Sequence, residues 1–180
     1  MNTPPAPRIT TRKAKALDAP GIELLHALNH EQHKLMFENY DGVLFAAPWL
    51  KALKRSSGIT GVFQKFSKPS KHIAFVAHHE GEFAGHLLGS VEIAAGNIPV
   101  FFINDISVAA DFRRQGVGSK LIHAGETGAQ QLGLRVFATG IWRGHTASEA
   151  LFANAGYRSW PQLDAAGKPN IGHYIRSLTP

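Results

Sequence analysis

The sequence predicts one α/β (α+β) domain whose mixed, mostly antiparallel sheet is flanked by helices and carries a central parallel strand pair. Three observations predict it. Residues 73–78, 83–93 and 100–108 are apolar runs rich in β-branched and aromatic side chains, separated by the turn-rich links His79-Glu80-Gly81-Glu82 and Ala95-Gly96-Asn97-Ile98-Pro99, as a meander requires. From Val117, apolar and small residues recur at helical spacing through Leu121, Ala124, Gly128 and Leu132. Gly133 stops that helix and 134–141 returns as a buried strand. Strands 100–108 and 134–141, joined through a helix, must then run parallel with a right-handed crossover.

Length and composition bound the rest. The 180 residues, 44% of them hydrophobic, suit a single domain over 8–180 behind a loose tail, 1–7, that holds three prolines. No apolar stretch nears the ~18 residues of a membrane span, and the first residues have neither the basic nor the apolar region of a secretion signal. A soluble, cytoplasmic protein is expected. The absence of cysteine excludes a disulfide frame, a thiolate metal site and a catalytic thiol. A net charge of +6 and a pI near 9.8 suit an anionic partner, whether a cofactor, a nucleic acid or an acidic substrate.

In chain order, 9–14 reads as a first strand. Asp18-Ala19-Pro20 then starts a helix, with Asp18 as N-cap, proline in the first turn, and Ile22, Leu25, Leu28 and Met36 as its apolar face. His26, His30 and His33 fall at i, i+4 and i+7, a spacing that could present three imidazoles to a metal. Three neutral imidazoles at this spacing more often form a solvated stripe, and no metal is expected. A second helix is expected over 48–57, with Leu50 and Leu53 inward. From Gly42 to His79 there is no acidic residue, while Lys51, Lys54, Arg55, Lys65, Lys68 and Lys71 are basic. A solvated basic face is the plainer reading, and an acidic acceptor the functional one. Nucleic-acid binding would need more aromatic interleaving than this segment has. Farther on, Thr146-Ala147-Ser148-Glu149 reads as a capping box for a helix ending at Asn154-Ala155-Gly156. Strands 157–160 and 173–178, around the loop 161–172, close the chain.

The chemistry concentrates after Val108. A strand ends, and Arg113-Arg114-Gln115-Gly116-Val117-Gly118 leads into a helix whose first amides are free, beside two fixed positive charges and glycines that admit an anion to the backbone. A Walker A loop would end in Gly-Lys-Ser/Thr, and a dinucleotide fingerprint would need a third small residue where Leu121 stands. The segment instead resembles the Arg/Gln-x-x-Gly-x-Gly/Ala cofactor motif of the GNAT superfamily of acyl-CoA-dependent N-acetyltransferases. A second stretch is similar to the family frame Asn-x-x-Ala-x-x-Leu-Tyr-x-x-x-Gly-Phe, with His145, Ser148, Leu151, Phe152, Gly156 and Tyr157 in those places.

The resemblance implies a GNAT-like fold in which the parallel strand pair forms a CoA cleft. It implies acetyl-CoA as donor, with its pyrophosphate on Arg113, Arg114, Gln115, Gly116, Val117 and Gly118, and Ser119 also on the cofactor. Ile106, Ser107 and Val108 are implied on the cofactor too, with a backbone N–H between Ser107 and Ala109 meeting the thioester oxygen and His145 as a donor in place of the family asparagine. Asp105, three residues before Val108, is the candidate base. Phe152 occupies the place of the tyrosine that protonates the departing thiolate, and has no proton to give. The implied partners are acetyl-CoA and a small-molecule or peptide amine, an acidic one fitting the basic segment; a homodimer is compatible, and neither a membrane nor a nucleic acid is expected. The function so implied is N-acetyl transfer by direct attack. Its alternatives are a catalytically silent acyl-CoA-binding module and, further off, a basic nucleic-acid binder.

Overall fold

A computed structural model describes residues 8–37, 72–94, 97–161 and 170–178. The expected tail at 1–7, the helix at 48–57, the lysines and arginine of 51–71 and most of the loop 161–172 lie outside the described residues. Among the described residues, seven strands form one sheet: β1 (Ile9–Lys13), β2 (His72–His79), β3 (Glu82–Ala94), β4 (Ile98–Val108), β5 (Val136–Trp142), β6 (Arg158–Ser159) and β7 (Ile171–Ser177), in the order β1-β2-β3-β4-β5-β7-β6. Among the described strands, only β4 and β5 pair in parallel. The described helices are α1 (Ala19–Met36), α2 (Val117–Gln130) and α3 (Thr146–Asn154).

β2 shows why the central strands read as unbroken apolar runs. Ile73, Phe75 and Ala77 enter a core with Leu87, Phe101, Ile103, and Val117, Leu121 and Ile122 of α2. Ala74 and Val76 face the other way, against Ala19 and Ile22 of α1 with Leu88. The sheet is thus covered on both faces, and neither side of a central strand can be polar without a partner.

α1 departs from its expected face. Ala19, Ile22, Leu25, His26 and His30 are its buried residues, whereas Leu28 is 55% and Met36 59% exposed. The helix lies over strand positions that carry polar side chains, His86 and Asp105, and so turns imidazoles inward where leucine would have left those groups unpaired. Asp18 also differs from expectation. It precedes the helix but makes no side-chain cap, because Arg12 takes both carboxylate oxygens at 2.7 Å and the Lys15 amide donates to one at 2.6 Å. Its carboxyl is pushed up by burial, and these donors more than reverse that, holding it below the ordinary range.

Two irregularities position the site. Between β3 and β4 the register jumps from Leu88–Asp105 to Gly89–Ile103, so Asn104 is an extra residue on β4. On the other edge, the parallel ladder runs only from Val100–Val136 to Ile103–Thr139, although β4 continues to Val108 and β5 to Trp142. Thr139 Oγ1 donates to the Ile103 carbonyl at 3.0 Å where the pairing ends. Past that point the strands part.

Candidate active site

The parting leaves the β5-facing edge of residues 104–108 without a strand partner among the described residues, and the turn from β4 into α2 closes the end of the gap. Gly116 is the N-cap of α2 at φ 84°, a left-handed conformation that suits glycine, and a Cβ built there would meet nothing within 4 Å. The first intrahelical bond at this end runs from the Lys120 amide to the Gly116 carbonyl at 3.1 Å, so the amides of Val117, Gly118 and Ser119 are left for a ligand. Gly118 serves packing instead. A Cβ there would stand 3.0 Å from Leu151 Cδ2, so its absence lets α3 approach the start of α2 and brings the two sequence motifs into contact.

The turn's side chains have separate tasks. Gln115 Nε2 donates to the Asp111 carbonyl at 2.8 Å and Arg114 adopts φ 64°, which together hold the turn. Arg113 donates through Nε to the Val108 carbonyl at 3.0 Å, and through Nη2 to Asn29 Oδ1 at 3.2 Å and Gln32 Oε1 at 3.0 Å. All three acceptors are neutral. Val117 is buried in the core and contributes only its backbone. Within the range expected to meet the thioester oxygen, the Ala109 amide is already taken by the Ala84 carbonyl at 3.0 Å.

Asp105 is the first residue past the bulge, and its side chain points to the α1 face. Its Oδ2 lies 2.6 Å from His86 Nε2 and 3.0 Å from His26 Nδ1, while Ser107 Oγ donates to Oδ1 at 3.2 Å. Burial pushes the Asp105 carboxyl up, but hydrogen bonds from His26 and His86 outweigh it and hold the group well below the usual carboxylate range. The sequence reading missed both histidines as partners. They come from different elements, and the spacing of the α1 histidines pointed elsewhere. That stripe disperses: His26 goes to Asp105, His30 is buried, and the His33 ring stands edge-on to His145 with centroids 5.1 Å apart. Burial lowers the affinity of His30 and of His33 for a proton, with the His145 charge adding to the effect at His33.

Two imidazoles and a carboxylate whose ligand atoms lie within 4.8 Å of one another invite a metal reading. The outer ring atoms weigh against it. His26 Nε2 and His86 Nδ1 are buried with no hydrogen-bond partner, and an imidazole holding an ion through its other nitrogen would carry its proton there, where a bound ligand usually has an acceptor. When the inner nitrogens donate to Asp105 instead, the outer ones are lone pairs.

At α3 the cap sits one residue earlier than expected. His145, not Thr146, is the N-cap, and its Nδ1 accepts from the Ser148 amide at 3.1 Å, while Glu149 Oε1 accepts from the Gly144 amide. That assigns the ring proton to Nε2, which leaves His145 a donor. Phe152, 1% exposed, lies in the core on the α2 and α3 face, edge-on to Tyr157 at 5.0 Å. Asp105 and Phe152 therefore approach the sheet from opposite faces.

The acetyltransferase (GNAT) family model matches residues 29–157. The chain belongs to the GNAT acetyltransferase family. GNAT proteins are acyl-CoA-dependent N-acetyltransferases, and that is the class of this one. Solved GNAT structures share the fold at low identity. Ribosomal-protein-alanine N-acetyltransferase from Brucella melitensis is 19% identical with TM-score 0.65, over 94% of this chain and 99% of that one. PaiA N-acetyltransferase from Thermoplasma acidophilum, solved with coenzyme A, is 13% identical with TM-score 0.62, again over 94% and 99%. Arabidopsis thaliana Naa50, in complex with a bisubstrate analogue, is 10% identical with TM-score 0.60 over the same shares. No curated protein matches the chain. No helix among the described residues is long and apolar enough to cross a membrane.

Proposed function

We propose that this GNAT protein transfers the acetyl group of acetyl-CoA to a primary amine by direct attack on the thioester. The observation that carries the reading is the parting of β4 from β5 just past Ile103–Thr139, with an anion-ready turn at the end of the same strand. The donor's pyrophosphate would rest on the amides that begin α2, beside Arg113 and Arg114, and its arm along Ile106, Ser107 and Val108, with the His145 Nε2–H as a further donor. Asp105 and the histidines on it would form the proton-accepting side. A cytoplasmic location goes with such a donor, and a small-molecule or peptide amine, an acidic one suiting the chain's net charge of +6, is the acceptor class.

Phe152 favours a second reading, a protein that binds acyl-CoA without turnover, since no hydroxyl stands in the tyrosine's place. One experiment separates them. Thermal shift with CoA, acetyl-CoA and longer acyl-CoAs should show stabilisation by acetyl-CoA, and thiol release on an amine panel should then exceed acceptor-free hydrolysis. Stabilisation without acceptor-dependent release favours the silent module; no stabilisation by any acyl-CoA removes both readings.

A further inference from the structure

We propose that His26 is the group that takes the proton from the acceptor amine, with Asp105 as the residue that positions it. The inference rests on the acetyl-transfer reading above and assigns a role that the family resemblance placed on Asp105 alone. Its basis is geometric. One carboxylate oxygen is approached by His26 Nδ1 at 3.0 Å and His86 Nε2 at 2.6 Å, and the Ser107 hydroxyl holds the carboxylate from its own strand. An ionised carboxylate only accepts, so both inner nitrogens carry hydrogen, and a ring that is neutral then has its lone pair on the outer nitrogen. Those outer atoms, His26 Nε2 and His86 Nδ1, are buried and have no hydrogen-bond partner among the described residues, so a lone pair there is open to a proton from a ligand.

His26 is preferred over His86 for access. Both outer nitrogens are buried, but the His86 side chain is wholly enclosed on β3, while that of His26 keeps 10% exposure on α1, the helix that Arg113 ties to the cofactor turn through Asn29 and Gln32. Asp105 lies where β4 has left β5, so the imidazole it orients is next to the thioester's expected path. A carboxylate so heavily hydrogen-bonded is a poor base itself, but it stabilises the imidazolium formed beside it.

In the step, His26 Nε2 takes one proton from the ammonium of the acceptor. The freed lone pair forms the C–N bond at the thioester carbonyl. The C–S bond then breaks with its electron pair on sulfur, and the second proton lost by nitrogen passes through solvent to the thiolate. The net products are the amide, CoA thiol and one proton, released to solvent from His26. The groups facing His26 are Asp105 on β4 and His86 on β3, with His30 and His33 on its own helix and His145 beyond His33.

The test compares the native chain with His26→Gln, His26→Ala and Asp105→Asn, using acetyl-CoA and the best amine from the panel. His26→Gln should lower kcat on the order of 10²-fold or more, leave acetyl-CoA affinity within about twofold, and abolish the acid limb of the kcat–pH profile. Added imidazole should restore part of the turnover of His26→Ala, a response that a merely structural residue does not give. Asp105→Asn should lower kcat while an acid limb persists. Glutamine can keep the hydrogen bond to Asp105, so it remains informative if the alanine variant fails to fold. If His26→Gln keeps most of kcat with an unchanged profile while Asp105→Asn falls by 10²-fold, Asp105 is the base and the inference is wrong. Turnover abolished by EDTA and restored by Zn²⁺ or Co²⁺ would overturn it in favour of a bound ion. Failure of the native chain to bind acetyl-CoA or to turn over is a distinct result, which removes the acetyl-transfer reading and this inference together.

Discussion

Replacing Phe152 with tyrosine restores the family's hydroxyl, and the structure says what that hydroxyl would meet. The ring is 1% exposed and packs edge-on against Tyr157 at 5.0 Å. Tyr157 already brings a hydroxyl into this core, where burial and then the charge of Glu126 push its ionisation well above the ordinary range. A second hydroxyl without an acceptor should cost about 1–3 kcal/mol. For a domain of this size each kcal/mol moves the melting temperature by roughly 2–4 °C, so Phe152→Tyr should melt about 2–12 °C lower without ligand. Turnover in the native chain does not depend on that hydroxyl, because a thiol of pKa about 8.5 leaves as thiolate near neutral pH far more readily than an alkoxide. The assay is melting of both forms with and without CoA, followed by thiol release from pH 6 to 9. CoA should recover part of the lost stability if the hydroxyl turns toward the sulfur, and turnover should then rise severalfold. An unchanged melting temperature in the absence of CoA would refute the burial argument.

Three further outcomes are expected. Gly116→Val forces a β-branched residue to φ 84° and costs about 1–2 kcal/mol in strain alone, so it should weaken acetyl-CoA binding more than Arg114→Ala, which removes a contribution of about 0.3–1 kcal/mol; isothermal titration measures both. Arg176→Ala leaves the buried Glu126 carboxylate, now 2.7 Å from the Arg176 guanidinium, without its partner. It should cost on the order of 1–3 kcal/mol near neutral pH, and less toward pH 5, because burial already raises the Glu126 carboxyl; denaturant titration at two pH values checks this. His30 and His33 bind protons less readily in the fold than in the unfolded chain, mainly through burial. Their contribution to stability is complete above the unfolded imidazole value of about 6.5 and declines as pH falls below it, which calorimetry from pH 8 to 5 should show.

The sheet was legible because its central strands are buried on both faces and so carry unbroken apolar runs. The parallel pair followed from the helix between 100–108 and 134–141. The turn at 113–118 was legible from its glycines, and Gly116 does take the left-handed conformation. What the sequence hid is long-range or unmarked. His26 and Asp105 are 79 positions apart, and no local pattern joins them. The extra residue Asn104 carries neither glycine nor proline to announce a bulge. Asp18 has the composition of a cap but is captured by Arg12, a competition that only tertiary placement decides. Leu28 fits an apolar face by spacing, yet the helix is rotated by the polar groups beneath it.

The acceptors around Arg113 bear on how fast a polyanion reaches this protein. Asn29, Gln32 and the Val108 carbonyl fix the guanidinium in place without cancelling its charge, as a carboxylate would have done. Its field therefore extends past the turn into solvent, alongside that of Arg114, over a distance set by the ionic atmosphere, about 8 Å at physiological salt. Encounter with a phosphorylated donor is accelerated over that range, so the association rate constant should fall with added salt while dissociation changes little.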